Sequence, residues 1–344
     1  MKNQNVSKTH HAVRACLLFF LFTVLGHGAV MAQHPLVATL THSGTTTAFM
    51  GTDALSAAHE AAEPGDVITL SPGTFTGITV TKGVTIRGAG DNTLSSDSLT
   101  QTTLTIDVDS TAGELHVEGV NFSSPVLINR MFNGGFSVCG MPSISYSSEE
   151  SVYNGVMFDR CKIWGVLYSG MEESYLAPNS SILLANCALG NIHCANETNS
   201  ILTCINCFIY GPYRDIHCSS FHNCLFLYST TADYGQLPAD NYLSYSVGSE
   251  TNLSYHNYGN NVVGTIQNEI YKDHPDRILV ITDNMYLTDE AAATYLGDDG
   301  TQVGMYGGAN PYSKQLSYPV ITRCEVGNRT NEDGTLTVNI EVSQ

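Results

Sequence analysis

The chain has 344 residues, 42% of them hydrophobic, with 14 Lys and Arg against 32 Asp and Glu and a net charge of −18. That length supports a sizeable core, as one elongated domain or two compact ones. The negative charge repels phosphate backbones, so nucleic acid is excluded as a partner and acidic polysaccharides are disfavoured.

Lys2, Lys8 and Arg14 give a positive start, an apolar run follows from Ala15 to Leu25, and small residues stand at Ala29-Val30-Met31-Ala32. This pattern predicts a secretory leader over residues 1–32, cut after Ala32. The apolar run is too short to cross about 30 Å of hydrocarbon at about 1.5 Å per residue. No other stretch is long enough, so the chain is expected to be exported and not membrane-spanning. Its destination is the periplasm, the cell surface or the medium. Cys16 leaves with the leader, and removing one of ten cysteines leaves an odd number, which argues against a fully paired disulfide framework.

Residues 33–50 are Thr-rich and strand-like. Thr52–Ala62 predicts a helix, with Asp53 accepting from its first-turn N–H groups, with Leu55, Ala58 and Ala62 on one face, and with Pro64-Gly65 ending it. Short strands follow at Val67–Leu70, Ile78–Val80 and Val84–Arg87, punctuated by Pro72-Gly73 and Lys82-Gly83. Such spacing suits a chain that turns corners continually and buries one face of each strand.

Repeats carry the fold. Arg160-Cys161, Asn186-Cys187, Asn206-Cys207 and Asn223-Cys224 each lie within short, largely apolar segments and recur about every 20 residues, the period of a solenoid. A second pair, Ile192-His193-Cys194 and Ile216-His217-Cys218, keeps step. Coils of that size bury their apolar side only by stacking on one another. Equivalent positions then lie about 4.8 Å apart. Cys161, Cys187, Cys207 and Cys224 are expected inside. Asn186, Asn206 and Asn223 are expected to stack at a corner, each amide bonding the next.

The stretch Ala61-Ala62-Glu63-Pro64-Gly65-Asp66-Val67-Ile68-Thr69-Leu70-Ser71-Pro72-Gly73-Thr74-Phe75 resembles the opening coil of pectin-lyase-like right-handed parallel β-helices. The resemblance covers about residues 45–265 and implies an all-β solenoid with an N-terminal capping helix. That fold hosts lyases, hydrolases, adhesins and proteins without activity, so it does not fix function. Beyond Glu269 the character changes. Thr282–Ala293 reads as extended chain with a helical turn, and Gly297–Gly308 is Gly-rich. Thr335–Val342 alternates as an edge strand after the turn Asp333-Gly334. The Gly-rich segment and tail are similar to the ends of exported β-helix proteins of gut-type Gram-negative bacteria. The expected organisation is a leader over 1–32, a β-helix over 33–268, and a C-terminal cap or β appendage over 269–344 that covers the last open coil.

Three functional classes are compatible with these residues. The leading one is a non-catalytic glycan-binding or adhesion module. Its candidate stacking residues are Trp164, Tyr228, Tyr234, Tyr242, Tyr245, Tyr255 and Tyr258, whose flat rings suit sugar faces. The alternative is a polysaccharide-processing enzyme, a lyase before a hydrolase, with Arg160 and Lys162 as base and neutraliser, and Ca²⁺ accompanying a lyase. Against it, both read as solvated groups beside Cys161. The third class is a purely structural surface protein. No metal site is expected, because His193 and Cys194, or His217 and Cys218, point to opposite faces of a strand. Asp298-Asp299 imitates a hydrolase pair but lies outside the repeats. Asp107 and Asp109, with Glu114 and Glu118, read as a solvated face.

Overall fold

In a computed structural model the described residues are 36–90, 99–146, 152–166, 180–193, 201–209, 213–214, 220–226, 242–244, 246–248, 261–263, 270–272, 284–326 and 338–343. The expected leader lies outside them. Among the described residues, no helix is long and apolar enough to cross a membrane.

Strands β1 (Val37–His42) and β2 (Thr45–Met50) form an antiparallel hairpin. Its two turn residues, Ser43 and Gly44, both have positive φ, as a tight twisted hairpin requires. Helix α1 (Ala54–Ala61) follows, with Leu55, Ala58 and the adjoining Ala62 buried on the expected face. Asp53 does not cap it; its carboxylate accepts from Thr76 Oγ1 at 2.7 Å instead. The other end is held by Lys82, whose ammonium donates to the carbonyls of His59, Glu60 and Ala62 at 2.8 Å each. A cation there suits the negative end of the helix dipole.

The solenoid begins with β3 (Val67–Leu70), β4 (Gly73–Thr74) and β5 (Ile78–Val80). Next come β6 (Thr85–Arg87), β7 (Thr100–Thr102), β8 (Leu104–Asp107), β9 (His116–Glu118) and β10 (Asn121–Phe122). The long β11 (Val126–Ser137) and β12 (Gly140–Tyr146) turn corners within themselves. They are followed by β13 (Val152–Asp159), β14 (Lys162–Val166), β15 (Ser181–Ala185), β16 (Ala188–His193), β17 (Ile201–Ile205), β18 (Phe208–Ile209) and β19 (Tyr213–Arg214). The last rungs are β20 (Ser220–His222), β21 (Leu225–Phe226), β22 (Tyr242–Ser244), β23 (Val247–Gly248) and β24 (Val262–Val263).

These strands pair in parallel along three ladders. The first runs β3–β6–β9–β11–β13–β15–β17–β20–β22. The second runs β4–β7–β10–β12–β14–β16–β18–β21–β23–β24. The third, shorter one begins β5–β8–β11–β12. The fold is therefore a parallel β-solenoid, as the repeats predict. A separate antiparallel pair, β25 (Val320–Val326) with β26 (Val338–Ser343), includes the tail strand read from the sequence.

Register explains the core. On the first ladder Ile68, Ile86, Val117, Phe136, Phe158, Leu184, Cys204 and Phe221 are successive partners, all buried. Phe136 and Phe158 stack with centroids 4.9 Å apart and planes 3° apart, so ring stacking matches the rung spacing. Cys204 belongs to this apolar column and Cys207 to the column after the corner, so the C-x2-C spacing places two buried thiols in different stacked columns.

Between the first and second ladders six successive coils each turn on one residue of positive φ. These are Gly119, Val138, Arg160, Asn186, Asn206 and Asn223, with φ from 50° to 69°. Asn tolerates this region best among residues with a Cβ, which is the reason for the Asn-Cys repeat. The corner N–H groups of Val138, Arg160, Asn186, Asn206 and Asn223 donate to the next coil at 2.9–3.1 Å. The residue after each corner turns inward: Val120, Cys139, Cys161, Cys187, Cys207 and Cys224. Each thiol donates to carbonyls, as Cys187 does to Ala185 O at 3.1 Å and Phe158 O at 3.4 Å. Burial pushes the thiols of Cys139, Cys161, Cys187 and Cys207 well above the usual cysteine range.

Two outcomes are expected. Asn186→Gly retains the corner conformation whereas Asn186→Ala strains it, so the glycine variant should be more stable by about 1 kcal/mol in urea titrations with unchanged slope. Peptide mapping after treatment with a neutral-pH alkylating agent should find Cys139, Cys161, Cys187, Cys204, Cys207 and Cys224 unmodified in the native protein and modified after unfolding.

Candidate functional site

The corner side chains do not bond one another as the repeats led us to expect. Those of Arg160, Asn186 and Asn223 bond the C-terminal segment, which runs back over the solenoid from Gly297 to Tyr318. Asn223 Nδ2 donates to Asp298 Oδ1 at 3.0 Å, and His222 Nε2 lies 3.0 Å from the same oxygen. Gly304 N–H donates to Asn223 O at 2.8 Å. Asn186 Nδ2 donates to the carbonyls of Met305 and Gly307 at 3.1 and 2.7 Å. Farther along, Asn310 Nδ2 donates to both oxygens of Asp159, and Ser317 donates through N–H and Oγ to Glu118. Tyr318 Oη ends the run by donating to Gly88 O at 2.7 Å. The segment thus meets late coils first and early coils last.

This strap explains its own glycines. A Cβ on Gly297 would lie 2.6 Å from the Asn223 amide, and one on Gly308 would lie 2.1 Å from Asn206 Nδ2. Both residues lie flat on corner amides where any side chain collides. Under the strap, the outward column Ala188, Phe208 and Leu225 is covered by Tyr271, Met285, Leu287, Val303 and Met305. The short helix α2 (Asp289–Thr294), whose first turn is capped by Thr288 Oγ1, adds Ala291 to that cover. The Gly-rich segment is therefore a lateral cover along the coils, in addition to the β25–β26 appendage.

The strap also decides the surroundings of Arg160 and Lys162, which the sequence reads as solvated. Lys162 is 7% exposed, with Nζ 5.8 Å from the centre of the Tyr312 ring. Arg160 occupies a left-handed corner; its Nε donates to Asp159 at 2.8 Å and its Nη1 to Gln315 O at 3.5 Å. Both cations are enclosed because a distant segment lies over them. Asp298 is engaged by Asn223 and His222, while Asp299 accepts from Thr301 N–H and Oγ1 within its own turn.

Of the aromatic candidates, Trp164 is 53% exposed on β14. Tyr242 falls on β22, and Tyr228, Tyr234, Tyr245, Tyr255 and Tyr258 lie outside the described residues. His193 is on β16, and Cys194, His217 and Cys218 lie outside. Among the described residues no group of His, Cys, Asp and Glu is placed to hold a metal.

No family model, curated protein or solved structure matches the chain.

An open groove lies on the third ladder. This shallow groove of about 450 Å³ is lined by Gly77, Thr79, Thr103, Thr105, Ser124 and Leu127, among others. Thr79 pairs with Thr105, and Thr105 with Leu127, so their outward side chains form one row across β5, β8 and β11. The lining is uncharged, mixing hydroxyls with the apolar surface of Ile78, Pro125 and Leu127. Sequence reasoning found strand β5 but not this row. The available signal was Thr alternating with apolar residues in Ile78-Thr79-Val80 and Leu104-Thr105-Ile106. Beside the groove, Asp107 faces outward as expected, but its carboxylate accepts from Arg130 Nε, and this bond holds it below the usual carboxylate range. Asp109 accepts from Thr111 N–H and Oγ1.

Docking of the strap should be acid-sensitive. Asp298 is held below its ordinary value of 3.8, chiefly by the Asn223 amide and then by His222. A carboxylate with a depressed folded pKa contributes stability above its unfolded value and loses it as pH falls through the folded one. Hydrogen exchange in residues 297–318 should be slow above about pH 5 and, corrected for intrinsic rates, accelerate below about pH 4. Glu118→Ala should accelerate exchange around Ser317 at neutral pH.

Proposed function

We propose that the chain is an exported glycan-binding β-helix module that acts by binding and carries out no chemistry on its ligand. The hydroxyl-lined groove of the third ladder carries this reading. Threonine hydroxyls both donate and accept, as sugar hydroxyls do, and the apolar floor at Ile78 and Leu127 suits the C–H face of a sugar ring. Rungs about 4.8 Å apart repeat these groups on the scale of a single sugar unit. The net charge of −18 favours neutral polysaccharides over polyanions. The cations that a lyase would use, Arg160 and Lys162, are engaged in holding the strap, which supports binding over turnover. Exposed Trp164 offers a second stacking surface.

The test is a calorimetric screen of the full chain against neutral and acidic polysaccharides, with absorbance of unsaturated products and reducing ends read in parallel. Binding to a neutral polysaccharide without product is expected. Thr105→Arg, which fills the groove from a half-buried, outward-facing position, should weaken that binding at least about tenfold, because it both blocks the row and leaves hydroxyl partners unpaired. Product release by the wild-type chain, or binding untouched by Thr105→Arg, would sink the reading.

A further inference from the structure

The outward row of the groove continues beyond Thr105. Residues i and i+2 of a strand face the same way, so Asp107 stands on the same face about 7 Å farther along β8. Its register partner on β11 is Arg130, reached across an irregularity after Ile128. Arg130 Nε donates to Asp107 Oδ1. That contact uses one guanidinium N–H and one carboxylate oxygen. Among the described residues neither group makes another hydrogen bond, so Oδ2 and the terminal guanidinium N–H groups are available. The two side chains are 30% and 46% exposed, Asp107 first. A donor fork and an acceptor are thereby held side by side at the end of a groove that is otherwise uncharged.

Resting on the glycan-binding reading of that groove, we propose that Asp107 and Arg130 form its specificity-determining pair and read the vicinal diol of a neutral sugar. The carboxylate accepts a hydrogen bond from one hydroxyl, and the guanidinium donates one to the oxygen of its neighbour. Charge-assisted hydrogen bonds are the strong ones, and two held in fixed geometry select the spacing of adjacent hydroxyls. The local charge sets the sign of the preference. Arg130 faces Asp107 and Asp109, with Glu114 nearby in sequence and bonded to His116, so a sugar carboxylate or sulfate meets net repulsion there.

The experiment uses the full chain and calorimetry with gluco-, manno-, galacto- and xylo-oligosaccharides, their uronate counterparts, and the O-methylated form of each neutral ligand. The wild-type protein should bind a neutral ligand more tightly than its O-methylated form. Asp107→Asn and Arg130→Gln should each weaken the unmodified ligand about tenfold while leaving the O-methylated form unchanged, with the ratio between the two ligands as the readout. A variant that loses fold weakens both ligands equally, which the exchanged pair Asp107→Arg with Arg130→Asp resolves: retained folding with lost discrimination supports the proposal. Undiminished discrimination in the single variants overturns it and leaves the glycan-binding reading standing, as does a wild-type preference for uronates. Absence of any glycan binding by the wild-type chain overturns both.

Discussion

Each of the six corners from Gly119 to Asn223 depends on one hydrogen bond. A residue in left-handed conformation turns the chain and directs its N–H at a carbonyl of the following coil. The corner thus continues the sheet's hydrogen bonding through a bend, where backbone groups would otherwise be buried unpaired. Everything else follows from it. The residue after the corner must point inward, beneath the carbonyls of two coils. A thiol fits there, being small, apolar and able to donate weakly to those carbonyls. The six buried free cysteines among the described residues therefore have a packing explanation that requires no partner for each sulfur.

The same corner shapes the outside. At Asn186 and Asn223 the amide projects outward and bonds the strap, whereas Asn206 lies under Gly308 with its Oδ1 buried and unpaired. Where it is Val138, the side chain is apolar, and the strap meets it with Leu316 and Tyr318. Where it is Arg160, the strap supplies the Gln315 carbonyl. A β-branched side chain in left-handed conformation costs on the order of 1–2 kcal/mol. Burial of Val138 against Leu316 and Tyr318 is the offsetting contact.

The solenoid was legible because stacking forces equivalent residues to repeat, and Asn186-Cys187, Asn206-Cys207 and Asn223-Cys224 do so in plain view. Helix α1 was legible from its apolar spacing, although Asp53 was assigned the wrong partner. The strap was not legible, because it has no period of its own. Asn310 bonds Asp159 across 151 residues of sequence, and no local rule links them. Its one trace was the glycine density between Gly297 and Gly308, which has meaning only once corner amides lie beneath. For the same reason Arg160 and Lys162 read as solvated: their cover comes from a segment that composition cannot locate. The groove was half legible, since alternation predicts outward Thr79 and Thr105 but only register makes them neighbours.

A stack of coils is ordinarily a linear array in which each repeat senses only its neighbours, and such arrays melt piecewise from their ends. The bond from Tyr318 to Gly88, 230 residues apart, changes that topology. The strap ties the corners from Gly88 to Asn223 to one continuous piece of chain. Loss of an internal coil must then break strap contacts on both sides of it, so the array gains cooperativity between coils that never touch. The order of assembly follows as well. The early coils present an uncovered flank until the strap has emerged, so native docking of that flank waits for the C-terminal end of the chain.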